Sequence, residues 1–246
     1  MNLVIIPARY ASQRFPGKPL ALIDKIPMIE RVYRQVAKAK LVDKIVVATE
    51  DIRIQEFVTA FGGNCVMTSA NHQSGTDRLA EAVQHFSQAK IVVNVQGDEP
   101  LIDPNIIDLA IQPILENNEI KMSTLAFPID LKNDDINNPN LVKVVLDENQ
   151  FALYFSRSLI PYRRNLDIDY TYLGHIGLYA FTKECLLKFS KLMPNQLELV
   201  ESLEQLRALA NNIPIKVIIA NARSYAVDIP NDIKVIEDLL AKTIVL

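Results

Sequence analysis

Arg9, Arg14 and Lys18 place three fixed cations within ten residues, in the run Pro7-Ala8-Arg9-Tyr10-Ala11-Ser12-Gln13-Arg14-Phe15-Pro16-Gly17-Lys18-Pro19-Leu20. Guanidinium and ammonium groups make charge-assisted hydrogen bonds to phosphoryl oxygens, and Ser12, Gly17 and the backbone N–H groups add further donors. A loop of this kind can wrap a triphosphate. The same residues also describe a solvated basic loop with a rigid Pro-Gly turn, and the loop by itself does not choose between the two. It is not a Walker A loop, because Ser12 holds the first glycine position and Pro19 follows the lysine. No Gly-x-Gly-x-x-Gly fingerprint occurs either, which removes the usual dinucleotide reading.

A carboxylate with complementary chemistry lies in Gln96-Gly97-Asp98-Glu99-Pro100. Asp98 is suited to Mg²⁺, a hard ion that takes oxygen ligands and shares its shell with substrate phosphates. Asp228, late in the chain, is the second candidate, although it reads equally as a cap before Pro230 and the last helix. Glu99 and Asp103 suit turn and cap roles. Between the cations and Asp98 lies His72-Gln73-Ser74-Gly75-Thr76-Asp77-Arg78. Ser74, Thr76 and Asp77 can cap the following helix, and Arg78, one turn in, can face phosphates or a base.

The elements that must carry these residues alternate between strand and helix patterns. Leu3–Ile6, Ile45–Ala48, Cys65–Val66 and Ile91–Val95 read as strands. Helices are expected from Pro27, over Ile52–Phe61, from Thr76 and from Asp103-Pro104. This βαβ order predicts a doubly wound, mostly parallel α/β sheet, which binds ligands beyond the carboxyl ends of its strands. In the second half, Val142–Leu146 and Phe151–Phe155 flank a hairpin turn, and Ile176–Phe181 and Ile215–Ala220 read as strands. Leu199, Leu203, Leu206 and Ala210 predict one helix, and Asn231 caps another through Leu240. One domain, 1–246, is the economical expectation, with an insertion at roughly 130–172 that can serve as a dimer contact.

Composition narrows the classes. The chain has 246 residues, 49% of them hydrophobic, and a net charge of −3, so a sizeable core is available without the basic excess of a nucleic-acid or membrane-surface protein. Cys65 and Cys185 stand far apart with neither disulfide-framework nor zinc spacing. Met1 leads straight into a short strand rather than a signal segment, and no apolar run reaches membrane-span length. A cytoplasmic protein is expected.

Taken together, the run from Pro7 to Leu20 resembles the signature of the 3-deoxy-D-manno-octulosonate (Kdo) cytidylyltransferase, or CMP-Kdo synthetase, family. His72–Arg78, Gln96–Leu101, Asn138-Pro139-Asn140 with Val142–Val145, Tyr154–Arg157, His175-Ile176-Gly177, Glu201–Arg207 and Val227-Asp228 are similar to that family's blocks, in order along nearly the whole chain. Gln13, where the family more often has Thr, and the stretches Thr49–Asp51 and Val227–Asp232 depart slightly.

The resemblance implies a nucleotide-diphospho-sugar transferase-like fold, CTP and an acidic 3-deoxy sugar as substrates, Mg²⁺, a homodimer and a place in lipopolysaccharide synthesis. Carried over, Arg9 and Lys18 hold the triphosphate, with Ser12 and Arg14 shaping their loop, and Asp98 and Asp228 bind the metal. Arg9, Lys18 and Asp98 then carry catalysis. Ser74 and Arg78 meet the nucleotide; Gln96, Arg157, His175 and Glu201 line the sugar pocket. By itself Arg157 reads equally as a surface or interface arginine, and His175 as a core group. The alternatives are a cytidylyltransferase for another acidic sugar (an amino-substituted octulosonate or sialic acid) and a non-catalytic nucleotide-binding regulator.

Overall fold

The computed structural model describes residues 1–11, 14–72, 74–223 and 225–244. The chain forms two compact units, one of residues 1–108 together with the segment after residue 223, the other of residues 109–223.

The first unit is built on β1 (Asn2–Ala8), buried without interruption from Leu3 to Ile6. A strand apolar on both faces must be covered on both faces, and so takes a central position. A short antiparallel pair follows, β2 (Leu22–Ile23) and β3 (Ile26–Pro27), turning through Asp24 and Lys25 at positive φ. Helix α1 (Met28–Val36) buries Met28, Ile29, Val32 and Val36, the helical-period face expected after Pro27. Next come β4 (Lys44–Thr49) and α2 (Ile52–Ala60). The Asp51 side chain caps α2, and Gly62, at φ +82°, turns the chain away from it. β5 (Cys65–Met67), α3 (Gly75–Ala82) and β6 (Ile91–Asn94) complete the series. All three pairings are parallel and give the order β6-β1-β4-β5. Chain order reverses about β1, so a ligand crevice opens where β1 and β6 end.

Helix α4 (Pro104–Glu116) contains the division between the units; Asp103 Oδ1 accepts from Asn105 N at its start, as the Asp-Pro pair implies. The second unit holds β7 (Met122–Pro128), β8 (Lys143–Leu146), β9 (Ala152–Ser156) and β10 (Leu173–Thr182). Helices α5 (Lys183–Phe189), α6 (Gln196–Glu201) and α7 (Gln205–Ala210) follow, then β11 (Lys216–Ile219). β10 is antiparallel to β7 and β8, β8 to β9, and only β11 runs parallel to β7. The hairpin expected at residues 142–155 is β8 and β9. Finally α8 (Asp232–Ile244) belongs to the first unit, where Ile236 packs with Ile23, Met28 and Val227.

The sheet is thus mixed and the fold α/β, parallel in the first unit and largely antiparallel in the second. The single helix expected through Leu199 and Ala210 is two helices. Ser202 adopts a left-handed conformation (φ 52°) that ends α6, and the turn lets Arg207 of α7 pair with Glu198 of α6 at 2.5 Å, both buried. Hydrophobic period alone does not reveal a break bridged by a buried ion pair. Among the described residues no helix is long and apolar enough to cross a membrane.

Candidate active site

The basic loop is closed on itself. Gly17 N donates to Tyr10 O at 2.9 Å, and the left-handed φ of Gly17 (+71°) sets up the single turn Lys18–Leu20. A Cβ at Gly17 would meet the Tyr10 ring at 3.2 Å, so the turn has both a conformational and a steric reason for glycine. Phe15 packs on the cluster of Ile23, Met28, Val227 and Ile236 and anchors the far side of the loop. Arg9 and Arg14 are exposed, and Lys18 is held half-buried. Ser12 and Gln13 lie outside the described residues.

Lys18 is the hub. Its ammonium donates to Asp98 Oδ2 at 2.5 Å and to Val227 O at 2.9 Å. Asp98 in turn accepts Val227 N–H on its backbone oxygen at 2.9 Å. Arg14 Nη2 pairs with Asp228 Oδ1 at 2.9 Å. The two pairs differ in weight. Lys18 and Asp98 keep 15% and 26% of their side chains exposed, against 68% and 51% for Arg14 and Asp228. The outer pair, screened by water, contributes at most about 1 kcal/mol. Gly97 is required beside Asp98, because a Cβ there would approach Pro7 O to 2.8 Å. That close passage brings the loop after β6 against the end of β1.

Arg9, Arg14, Lys18 and Arg78 line a cavity of about 540 Å³ together with Gln96 and Asp98. Arg78 is fully buried. It pairs with Glu50 at 2.7 Å and donates to Thr68 Oγ1 at 2.5 Å, while its Nε has no hydrogen-bond partner among the described residues. Burial pulls its pKa below the usual arginine value, Glu50 opposes that, and the neighbouring Arg9 adds to it. Ser74 is the cap of α3: its Oγ accepts Asp77 N–H and its own N–H donates to Asp77 Oδ2. Its hydroxyl is therefore engaged in the helix, and Gly75 is the neighbour that borders the cavity.

Asp98 and Asp228 offer a hard-oxygen donor set. Among the described residues no three His, Cys, Asp or Glu side chains gather as a metal cage. Two carboxylates beside a basic loop fit Mg²⁺, which usually takes one or two carboxylates and completes its shell with water and phosphate oxygens.

In the second unit, Arg157 and Glu201 are bound to each other. Glu201 accepts Ser156 Oγ–H at 2.6 Å and Arg157 N–H at 2.9 Å. The Arg157 guanidinium donates to the backbone oxygens of Glu201, Pro139 and Ser202. Its fork, which the resemblance carries to the sugar pocket, is turned onto carbonyls in this structure. His175 sits apart from that pair, with Nε2 3.0 Å from Thr124 Oγ1 and its ring edge-on to Phe155. The single Thr124 hydroxyl proton has carbonyl acceptors at Leu178 O (2.8 Å) and Ile176 O (3.1 Å). With the Thr124 proton on Leu178 O, the shorter contact, Thr124 Oγ1 accepts from His175 Nε2–H, and that tautomer leaves Nδ1 as an acceptor. Desolvation pushes the His175 pKa down to about 3, which keeps the ring neutral.

Two residues went unmarked in the sequence. Lys143 is fully buried and donates to the backbone oxygens of Leu141 (2.7 Å) and Arg157 (2.6 Å). A lysine heading an apolar strand was the available signal. Glu50 is the other, visible only as an acid directly after β4.

Residues 3–218 match the family model of the cytidylyltransferases. The chain is 51% identical over 239 residues to the 3-deoxy-manno-octulosonate cytidylyltransferase of Desulfosudis oleivorans, covering 96% of each chain. It is 49% identical over 251 residues to that of Geobacter sulfurreducens, covering 97% of this chain and 100% of the relative. It superposes with a TM-score of 0.92 on the solved structure of CMP:2-keto-3-deoxy-manno-octonic acid synthetase complexed with CTP, at 40% identity over 98% of this chain and 99% of that one. Agreement of this extent over the full chain, with the cations and carboxylates gathered as described, shows that the chain belongs to the cytidylyltransferase family, and within it to the 3-deoxy-manno-octulosonate cytidylyltransferases.

Proposed function

We propose that the chain transfers CMP from CTP to 3-deoxy-D-manno-octulosonate, releasing pyrophosphate and forming CMP-Kdo for lipopolysaccharide synthesis in the cytoplasm. The observation that carries this reading is Lys18, an ammonium bound to Asp98 in a cavity that also presents Arg9, Arg14 and Arg78. An anion matching four cations there is a polyphosphate, and the family supplies its base.

Arg9 and Lys18 hold the triphosphate and neutralise the pyrophosphate as it leaves, while Arg14 steadies the loop and Arg78 faces the nucleotide. The sugar's anomeric oxygen forms its bond to the α-phosphorus as the bond from that phosphorus to the bridging oxygen breaks, pyrophosphate leaves with the bridging oxygen, and the hydroxyl proton passes to water. Asp98 and Asp228 would hold Mg²⁺, which supplies charge neutralisation at the phosphates and favours the deprotonated hydroxyl. On loading, Lys18 and Arg14 exchange their carboxylates for phosphate oxygens. Gln96, Arg157, His175 and Glu201 are the sugar-binding set: His175 Nδ1 accepts from a sugar hydroxyl, and Arg157 releases a backbone carbonyl to take the carboxylate. A homodimer formed through the second unit is part of the proposal, supported by the exposure of Tyr162 (86%), Leu166 (73%) and Val200 (78%).

The test combines the protein with CTP, Mg²⁺ and a panel of acidic sugars and scores the CMP-linked product and pyrophosphate. A product only with sialic acid or an amino-substituted octulosonate would move the substrate. CTP binding without product from any sugar would leave a regulator.

A further inference from the structure

We propose that Glu50 and Arg53, at the junction of β4 and α2, are positioning residues that aim the phosphate-binding cations by clamping Tyr10. The proposal rests on the polyphosphate reading of the basic loop, and adds the parts that give that loop its shape.

Tyr10 is fixed at three points. Its backbone N–H donates to Glu50 Oε1 at 3.2 Å. Its carbonyl accepts Gly17 N–H at 2.9 Å. Its ring lies under the Arg53 guanidinium, 3.3 Å from carbon to ring centroid, and borders Gly17. Arg9 precedes Tyr10 and Lys18 follows Gly17. Immobilising this one residue therefore sets the backbone from which both triphosphate cations depart.

The two clamps are themselves held. Asp51 grips Arg53 with both oxygens (2.8 and 2.6 Å) and caps α2 through Arg53 N, so the guanidinium is locked in plane over the ring. Glu50 is largely buried and pairs with the buried Arg78 of the cavity wall, a guanidinium on which the negative charge of Glu81 also acts. Glu50 thus joins Tyr10 of the basic loop and Arg78 of the cavity wall, far apart in sequence, through a single side chain. A flexible loop would pay the ordering of Arg9 and Lys18 at each binding event; a clamped one has it in place beforehand.

The experiment measures tripolyphosphate binding by calorimetry, and KM for CTP and for the sugar, in wild type, Arg53→Ala, Arg53→Lys, Glu50→Gln, Tyr10→Leu and the double variant Tyr10→Leu/Arg53→Ala. Arg53→Ala should weaken tripolyphosphate binding and raise the CTP KM by about three- to tenfold, with the sugar KM changed by less than about twofold. Arg53→Lys should recover part of the loss, and Glu50→Gln should shift the same two quantities in the same direction. In the Tyr10→Leu background, removing Arg53 should have no further effect. An undiminished loss in that background would mean that Arg53 acts as a free charge, and would overturn the clamp, as would wild-type affinity in Arg53→Ala. Wild-type protein that binds tripolyphosphate but makes no CMP-linked sugar defeats the nucleotidyl-transfer reading alone, since the polyphosphate comparison still decides the clamp.

Discussion

The backbone N–H of Val227 donates to the carbonyl oxygen of Asp98 at 2.9 Å, which pins the last segment of the first unit to the loop after β6. Asp228 is the next residue, so one main-chain bond ties the backbones that carry the two proposed metal carboxylates. Asp98→Asn keeps the backbone bond and the side-chain volume but removes the charge. We expect an intact fold, by circular dichroism and thermal melt, with turnover reduced at least about a hundredfold. Near-normal turnover in a folded variant would exclude Asp98 from the metal site.

Lys18→Ala removes a single charge-assisted donor to phosphate, an interaction of about 1.5–3 kcal/mol, and should raise the dissociation constant for CTP about ten- to a hundredfold. Sugar binding should change little. Calorimetric titration of each substrate separately reads both numbers, and equal losses would contradict the loop assignment.

Much of this site was legible because its parts obey local rules. The apolar run Leu3–Ile6 could only be a covered central strand, and its carboxyl end had to deliver Arg9 to a crevice. Asp103-Pro104 and Ser74 announced helix starts, and both are caps. What stayed hidden depends on contacts distant in sequence. Strand β7 is paired on both edges by segments that follow it, and its Ser123 and Thr124 are buried polar residues with carbonyl partners at Ala110, Ile176 and Leu178. The engagement of Arg157 with three carbonyls, and of Glu50 with Tyr10 and Arg78, likewise follows from tertiary pairing that no period in the sequence encodes.

His175 provides a pH prediction with a definite sign. Its folded pKa, about 3, lies below the ordinary imidazole value of 6.5. Below pH 6.5 the unfolded chain therefore binds a proton that the folded chain refuses, and stability falls as pH drops from 6.5 towards 3. Between pH 7 and pH 5 this group should cost about 2 kcal/mol. Denaturant titrations of wild type and His175→Gln at both pH values isolate it: the wild type should lose more by that amount. Parallel losses would show that the ring titrates normally. A ring with so low a pKa is a weak general base and does not titrate near neutrality, so the pH–rate profile should carry no inflection from His175 between pH 5 and 8.

Lys143 gives the last prediction. Its ammonium is buried at the head of β8 and holds the carbonyls of Leu141 and Arg157, with a weaker contact to Asn138 O at 3.3 Å. Burial lowers its pKa, and the negative charge of Glu201 and then of Asp135 opposes the shift. Lys143→Met preserves the aliphatic length and strands those carbonyls without donors, at about 1–3 kcal/mol each for the two short bonds. Because one of them belongs to Arg157, the loss should also reach the proposed sugar site: Tm falls, and among molecules still folded the sugar KM rises while the CTP KM holds. Stability lost with both KM values unchanged would make Lys143 a purely structural cation and would separate the Arg157 backbone from sugar binding.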